Sequence, residues 1–257
     1  MEFDLHIEGI TVRVLREDCF VDGPTLIFLH DSLGCIELWK DFPKKLGEAS
    51  QCNVLIYDRQ GYGKSSPFSL ARANNYMELE ADFLNKLIEK CEITNAVLFG
   101  HSDGGSIALI TAAKYPTKIS GVITEGAHVF VEEITLSGIK QATEAYRTTI
   151  LKQKLEKYHG DKTEAMFWAW AGTWQTDDYK SWNIEFFLPL IQCPSLIIQG
   201  EDDEYGSIKQ VDAIVNQVKG FSEKWMIPAI GHTPHKESPE ETLYNSVAFI
   251  KSITMLV

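Results

Sequence analysis

Apolar residues are distributed along the chain in short dense runs separated by segments of helical period. Residues 25–29, 53–57, 96–99, 119–124 and 195–200 are brief runs dominated by Val, Ile, Leu and Phe. Runs of that length and content predict strands buried on both faces of a sheet. Residues 225–230 add a late strand, while residues 3–7 and 11–15 alternate apolar and polar around Glu8-Gly9, the pattern of an edge hairpin. Between the strands, residues 39–49 predict an amphipathic helix interrupted near Pro43. Residues 75–91 predict a second helix, with Met77, Leu79, Phe83, Leu84, Leu87 and Ile88 on its apolar face. Residues 107–114 and 208–218 continue the alternation. The last helix starts at Ser238-Pro239-Glu240-Glu241, a serine cap followed by proline and acids in the first turn, and buries Leu243, Val247, Phe249 and Ile250.

The alternation breaks once. Residues 126–192 carry helix formers and many large aromatics, Trp168, Trp170, Trp174 and Trp182 among them, with no strand pattern. The predicted organisation is an α/β core from residues 1–125 and 193–257, with residues 126–192 inserted as a helical unit. A chain of 257 residues, 44% hydrophobic and 23% charged, is long enough for one such domain. The 24 Lys and Arg against 36 Asp and Glu leave a net charge of −12, which argues against nucleic acid or an anionic membrane as partner. Five cysteines, odd in number, scattered and without a C-x-x-C pair, suggest neither a disulfide framework nor a zinc site. With no signal-like start and no apolar stretch of spanning length, a cytoplasmic protein is expected. Oligomeric state is left open.

Chemistry concentrates where residues 96–99 run into Gly100-His101-Ser102-Asp103-Gly104-Gly105 and then a helix. A strand turning sharply into a helix strains its central residue, and glycines two before and two after let neighbouring backbone approach. The turn lifts the Ser102 hydroxyl clear of the sheet and aims the first helical amides at the same space. Serine needs a base, and the base an orienting acid. Glu201-Asp202-Asp203-Glu204 follows one strand, and Gly231-His232-Thr233-Pro234-His235 follows the last, so the chain order is serine, acid, histidine.

That order and placement resemble the α/β-hydrolase superfamily over essentially the whole chain. The resemblance implies a mostly parallel sheet flanked by helices, with residues 126–192 as a cap over the nucleophile. Its G-x-x-D spacing from Gly200 selects Asp203 over Asp202, and its G-H-x-x-H pattern makes His232 rather than His235 the base. The loop His30-Asp31-Ser32, with Asp31 where the family carries glycine, is expected to supply the Ser32 N–H to an oxyanion hole whose other donor is the Asp103 N–H. His30 itself is expected to be structural. Asp58-Arg59-Gln60-Gly61-Tyr62-Gly63 is similar to the family's D-x-R-G-x-G turn, in which an Asp–Arg pair anchors loops.

Gly100-x-Ser102-Asp103-Gly104-Gly105 with Ala112-Ala113-Lys114-Tyr115-Pro116 looks like the valacyclovir hydrolase (biphenyl hydrolase-like) branch, although His101 stands where that branch has tryptophan. There the residue matching Asp103 binds the amino group of amino-acid esters. The expected activity is hydrolysis of small carboxylic esters through an acyl-enzyme on Ser102, with Asp103, Trp168 and Trp174 as candidate substrate contacts. Neither a metal nor an organic cofactor is expected. The alternatives are a carbon–carbon bond hydrolase of ring-cleavage products, which needs cationic or polar residues in its cap, Lys140 and Arg147 being candidates, and a non-catalytic ligand-binding protein of the same fold.

Overall fold

The computed structural model describes residues 1–68 and 71–254, and among them eight strands form one sheet. β1 (Glu2–Ile7) and β2 (Ile10–Glu17) pair antiparallel across Glu8-Gly9, where φ of 49° and 82° gives the two-residue turn its twist. β3 (Thr25–Leu29), β4 (Asn53–Tyr57), β5 (Ala96–His101), β6 (Ile119–Glu125), β7 (Ser195–Gly200) and β8 (Ser222–Ile227) complete the order β1-β2-β4-β3-β5-β6-β7-β8. β2 meets β4 antiparallel, and every pair from β4–β3 onward is parallel.

The helices are α1 (Phe42–Ser50), α2 (Tyr76–Lys90), α3 (Asp103–Lys114), α4 (Glu133–Thr148), α5 (Leu151–His159), α6 (Thr163–Trp174), α7 (Ile208–Gln217), the short α8 (Pro234–Glu237) and α9 (Pro239–Thr254). Alternate residues of each central strand serve the two faces. Leu26, Phe28, Val97 and Phe99 pack with Leu46 of α1 and with Phe249, Ile250 and Ile253 of α9. Ile27, Leu29 and Leu98 pack with α2, α3 and α7 on the other side. Both faces are therefore dry, which is why the strands read as continuous apolar runs.

The helix expected over residues 39–49 is two pieces. Residues 36–39 form a tight 3₁₀ turn, and α1 begins only at Phe42 with Pro43 in its first turn, where a missing N–H costs nothing. β8 begins at Ser222 and ends at Ile227, before Ala229 at φ 59° turns the chain toward His232. Leu79, assigned to the apolar face of α2, is exposed. Between β6 and β7 the chain leaves the sheet for α4, α5 and α6, then two 3₁₀ turns (Asp178–Ser181 and Glu185–Leu190). Among the described residues no helix is long and apolar enough to cross a membrane, and no group of three or more His, Cys, Asp or Glu could hold a metal ion.

Candidate active site

Ser102 stands between β5 and α3 at φ 54° and ψ −119°, a backbone region that side chains disfavour. The surroundings hold it there. Its N–H donates to Glu125 O at 2.8 Å, and its carbonyl accepts from Gly105 N and Ser106 N at 2.8 and 3.1 Å. A Cβ on Gly100 would sit 2.3 Å from Gly104 O, and one on Gly104 would sit 2.0 Å from Leu29 O. No other residue type allows β5, α3 and β3 to come this close.

Asp203 and His232 meet across the ends of β7 and β8. His232 Nδ1–H donates to both oxygens of Asp203, at 2.8 and 2.9 Å. Burial works to raise the Asp203 pKa, but the charge of His232, the bond to its ring and the Tyr205 amide outweigh it and hold the carboxyl below its ordinary value. Burial likewise disfavours the imidazolium, yet the Asp203 charge and hydrogen bond leave the His232 pKa raised. With Nδ1 engaged, Nε2 is the nitrogen left for a hydroxyl. Ser102 and His232 line one cavity of about 220 Å³.

Neighbouring imidazoles set the His232 loop. His101 Nε2–H donates to the His232 carbonyl at 2.9 Å, and Tyr205 packs on the His232 ring at 4.7 Å. His235 turns the other way, into a buried bond of 2.6 Å with Glu125. Burial pushes Glu125 up to about 7, and burial likewise presses His235 down to about 3. Glu201 and Asp202 are exposed, as is Glu204, which lies at the cavity wall.

Ser32 and Asp103, the two expected amide donors, both line this cavity, and neither N–H donates a hydrogen bond among the described residues. Asp31 has no positive φ, so the glycine usual at this position is not required by the backbone. The requirement passes to Gly34, where a Cβ would meet Asp31 Oδ1 at 2.1 Å. The Asp58–Arg59 pair expected to anchor loops is not a pair. Asp58 accepts from the amides of Ile36 and Lys64 at 2.7 Å each, whereas Arg59 turns toward Asp31 O and Asp103.

Asp103 is occupied as well. Its Oδ2 accepts from Tyr76 Oη at 2.9 Å and lies 3.8 Å from Arg59 Nη2 and 3.9 Å from Arg72 Nη1, while Trp174 Nε1–H donates to the same Tyr76 oxygen at 3.1 Å. Trp174 lines the cavity together with Trp170, Thr135 and Ile139. Trp168 does not. It packs against Tyr146, Phe167 and the Arg147 guanidinium, because residues two apart on a helix face different sides.

The profile of the alpha/beta hydrolase fold family matches residues 24–174. The chain belongs to this family. The human serine hydrolase BPHL is 31% identical over 201 residues, 76% of this chain, and the chain spans 67% of that protein's length. An Escherichia coli (strain K12) 2-hydroxy-6-oxononadienedioate/2-hydroxy-6-oxononatrienedioate hydrolase is 27% identical over 152 residues, 56% of this chain and 52% of that protein. In fold, the crystal structure of a membrane phospholipase A, a bacterial virulence factor, superposes with a TM-score of 0.81 at 20% identity, covering 99% of this chain and 86% of that one.

Several residues around this α/β-hydrolase cavity carry no sequence signal. Arg72 lies in a polar stretch with no period, and its place beside Asp103 depends on the path of a loop. His128 follows β6 and is buried, its Nε2–H donating to Tyr205 O at 3.0 Å. His159 and Lys162, at the junction of α5 and α6, bond to the turn after β4 and to the Leu33 carbonyl. Contacts between residues about a hundred positions apart leave no mark on local pattern.

Proposed function

We propose that this protein is a serine hydrolase that cleaves small, neutral carboxylic esters through an acyl-enzyme on Ser102. The observation that carries the proposal is the Asp203–His232 hydrogen bond on the same cavity as a serine held at φ 54°. In the first step His232 takes the Ser102 proton as the oxygen attacks the ester carbonyl, and Asp203 stabilises the imidazolium that forms. The oxyanion rests on the amides of Ser32 and Asp103 at the positive end of α3. His232 returns the proton to the departing alcohol, then takes one from the water that attacks the acyl-enzyme. Residues 126–192 act as the cap, and Trp170 and Trp174 supply apolar walls that exclude competing water.

The cavity's charge argues against anionic substrates. Asp31, Asp103 and Glu204 line it, and no Lys or Arg is among the lining residues. A ring-cleavage dienoate needs cationic or polar cap residues for its carboxylate; the cations Lys140 and Arg147 are exposed and lie outside the lining, which leaves polar residues such as Thr135 for that role. Selection of α-amino esters by Asp103 is not favoured either, since two guanidiniums already face that carboxylate.

The test is a p-nitrophenyl acetate and butyrate panel run beside a dienoate and an α-amino ester, with fluorophosphonate labelling of Ser102. Ester turnover with labelling that Ser102→Ala abolishes is expected. Absence of both would return the chain to the non-catalytic members of the fold.

A further inference from the structure

We propose that Arg59 is a positioning residue for catalysis, aiming and polarising the Asp31–Ser32 peptide so that the Ser32 N–H faces the reacting oxygen. The inference rests on the serine-hydrolase function proposed above and adds to it the device that sets the oxyanion hole.

A trans peptide is planar, with its C=O and N–H pointing in opposite directions, and no cis peptide occurs among the described residues. Whatever holds the Asp31 carbonyl therefore aims the Ser32 N–H. Two donors hold it. His30 Nδ1–H reaches the oxygen at 2.7 Å and Arg59 Nη2–H at 3.0 Å. The His30 ring is itself oriented by the Arg59 backbone, whose N–H donates to Nε2 at 3.1 Å. Residue 59 thus acts on this peptide twice, directly through its guanidinium and indirectly through its amide. Nη2 also lies 3.8 Å from Asp103 Oδ2, so one cation spans the side chain of one expected donor and the peptide of the other.

The energetics suit a functional role better than a packing one. Arg59 is 0% exposed and stacks over Tyr62 at 4.6 Å, and its Nε and Nη1 make no hydrogen bond among the described residues. Asp103, Glu80 and the Tyr62 ring favour the buried charge, yet of the three guanidinium nitrogens only Nη2 is hydrogen-bonded, a cost that an apolar side chain of similar volume would not carry. What an apolar side chain could not supply is positive charge on the carbonyl side of the peptide. That charge draws electron density toward the oxygen and makes the opposite N–H a stronger donor in a low-dielectric site.

Arg59→Met and Arg59→Lys, each checked for folding by thermal melting, test the assignment with p-nitrophenyl butyrate and two ketones of matching chain. A trifluoromethyl ketone adds to serine and develops an oxyanion, whereas the methyl ketone binds without one. Arg59→Met is expected to lower kcat about 10- to 100-fold with KM within about twofold, a fraction of the loss seen when an oxyanion donor is removed outright. The trifluoromethyl ketone should weaken in parallel with kcat/KM while the methyl ketone does not. Arg59→Lys, which keeps the charge without the fork, should fall between; it decides on the same readouts if Arg59→Met does not fold. A folded variant with unchanged kcat, a loss confined to KM, or equal weakening of both ketones overturns the role. A wild-type protein that neither hydrolyses esters nor takes a fluorophosphonate overturns the proposed function first, before any variant is made.

Discussion

Strain at Ser102 and the charge on His232 are single-residue properties with measurable consequences. A non-glycine residue at φ 54° stores on the order of 1–3 kcal/mol. Ser102→Gly releases that strain but loses the proposed nucleophile and gives up some unfolded-state restriction. A net gain of about 1 kcal/mol is expected, a rise of about 2–4 °C in Tm on a domain this size, together with loss of turnover. Differential scanning calorimetry beside an esterase assay checks both. The pH dependence follows from His232. In the proposed reaction it works unprotonated as general base, and Asp203 holds its pKa above the ordinary 6.5. Activity should therefore climb with pH along an acid limb centred above 6.5 and reach a plateau beyond it. Asp203→Asn removes both the charge and the tautomer control, so the limb should move to lower pH while the plateau drops by up to about 10⁴-fold. A limb that stays in place in Asp203→Asn would separate it from this histidine.

Among the elements, the contacts between α5–α6 and the loops after β3 and β4 tie the proposed cap to the sheet. Lys162, just before α6, donates to the carbonyls of Tyr62 (3.2 Å), Gly63 (2.7 Å) and Ser65 in the turn after β4. His159, at the end of α5, accepts from Gly63 N at 2.9 Å and donates from Nε2 to Leu33 O at 3.0 Å. Two adjacent points at the junction of α5 and α6 thus grip the β4 turn and the loop that carries Ser32. Lys162→Met leaves three carbonyls without that donor, and a cost of about 1–3 kcal/mol is expected. The loss should be local, with amide exchange in residues 150–162 speeding up more than in α3 or β5. Uniform acceleration across the chain would show that the join carries global rather than local stability.

For the whole molecule, the net charge of −12 and the carboxylates of Asp31 and Glu204 at the cavity act in the same direction. Their field repels anionic substrates, and added salt screens it over a Debye length of about 10 Å at 0.1 M. The kcat/KM of a carboxylate-bearing ester should therefore start below that of its neutral counterpart and rise with ionic strength, while the neutral ester stays flat. Equal values at low salt would mean that the cavity is shielded from these charges. The surrounding sheet imposes the arrangement. Parallel strands send Ser102, Asp203 and His232 to the same edge, because each follows the carboxyl end of its strand.

Local pattern determined the strands, the hairpin, most helices and the elbow, because each depends on residues within a few positions of one another. Period and glycine spacing encode those directly. Errors arose at element ends, as at Pro43, where a residue poor inside a helix is well suited to start one. Tertiary structure alone decided what the polar side chains touch. Asp58 and Arg59 are neighbours in sequence but serve different loops, Asp103 is faced by Arg59 and by Arg72 from a segment with no pattern, and Trp170 rather than Trp168 reaches the cavity. The physical reason is range. Burial makes each strand and helix legible from its own composition, whereas a hydrogen bond or ion pair between distant segments exists only after the sheet has brought their loops together.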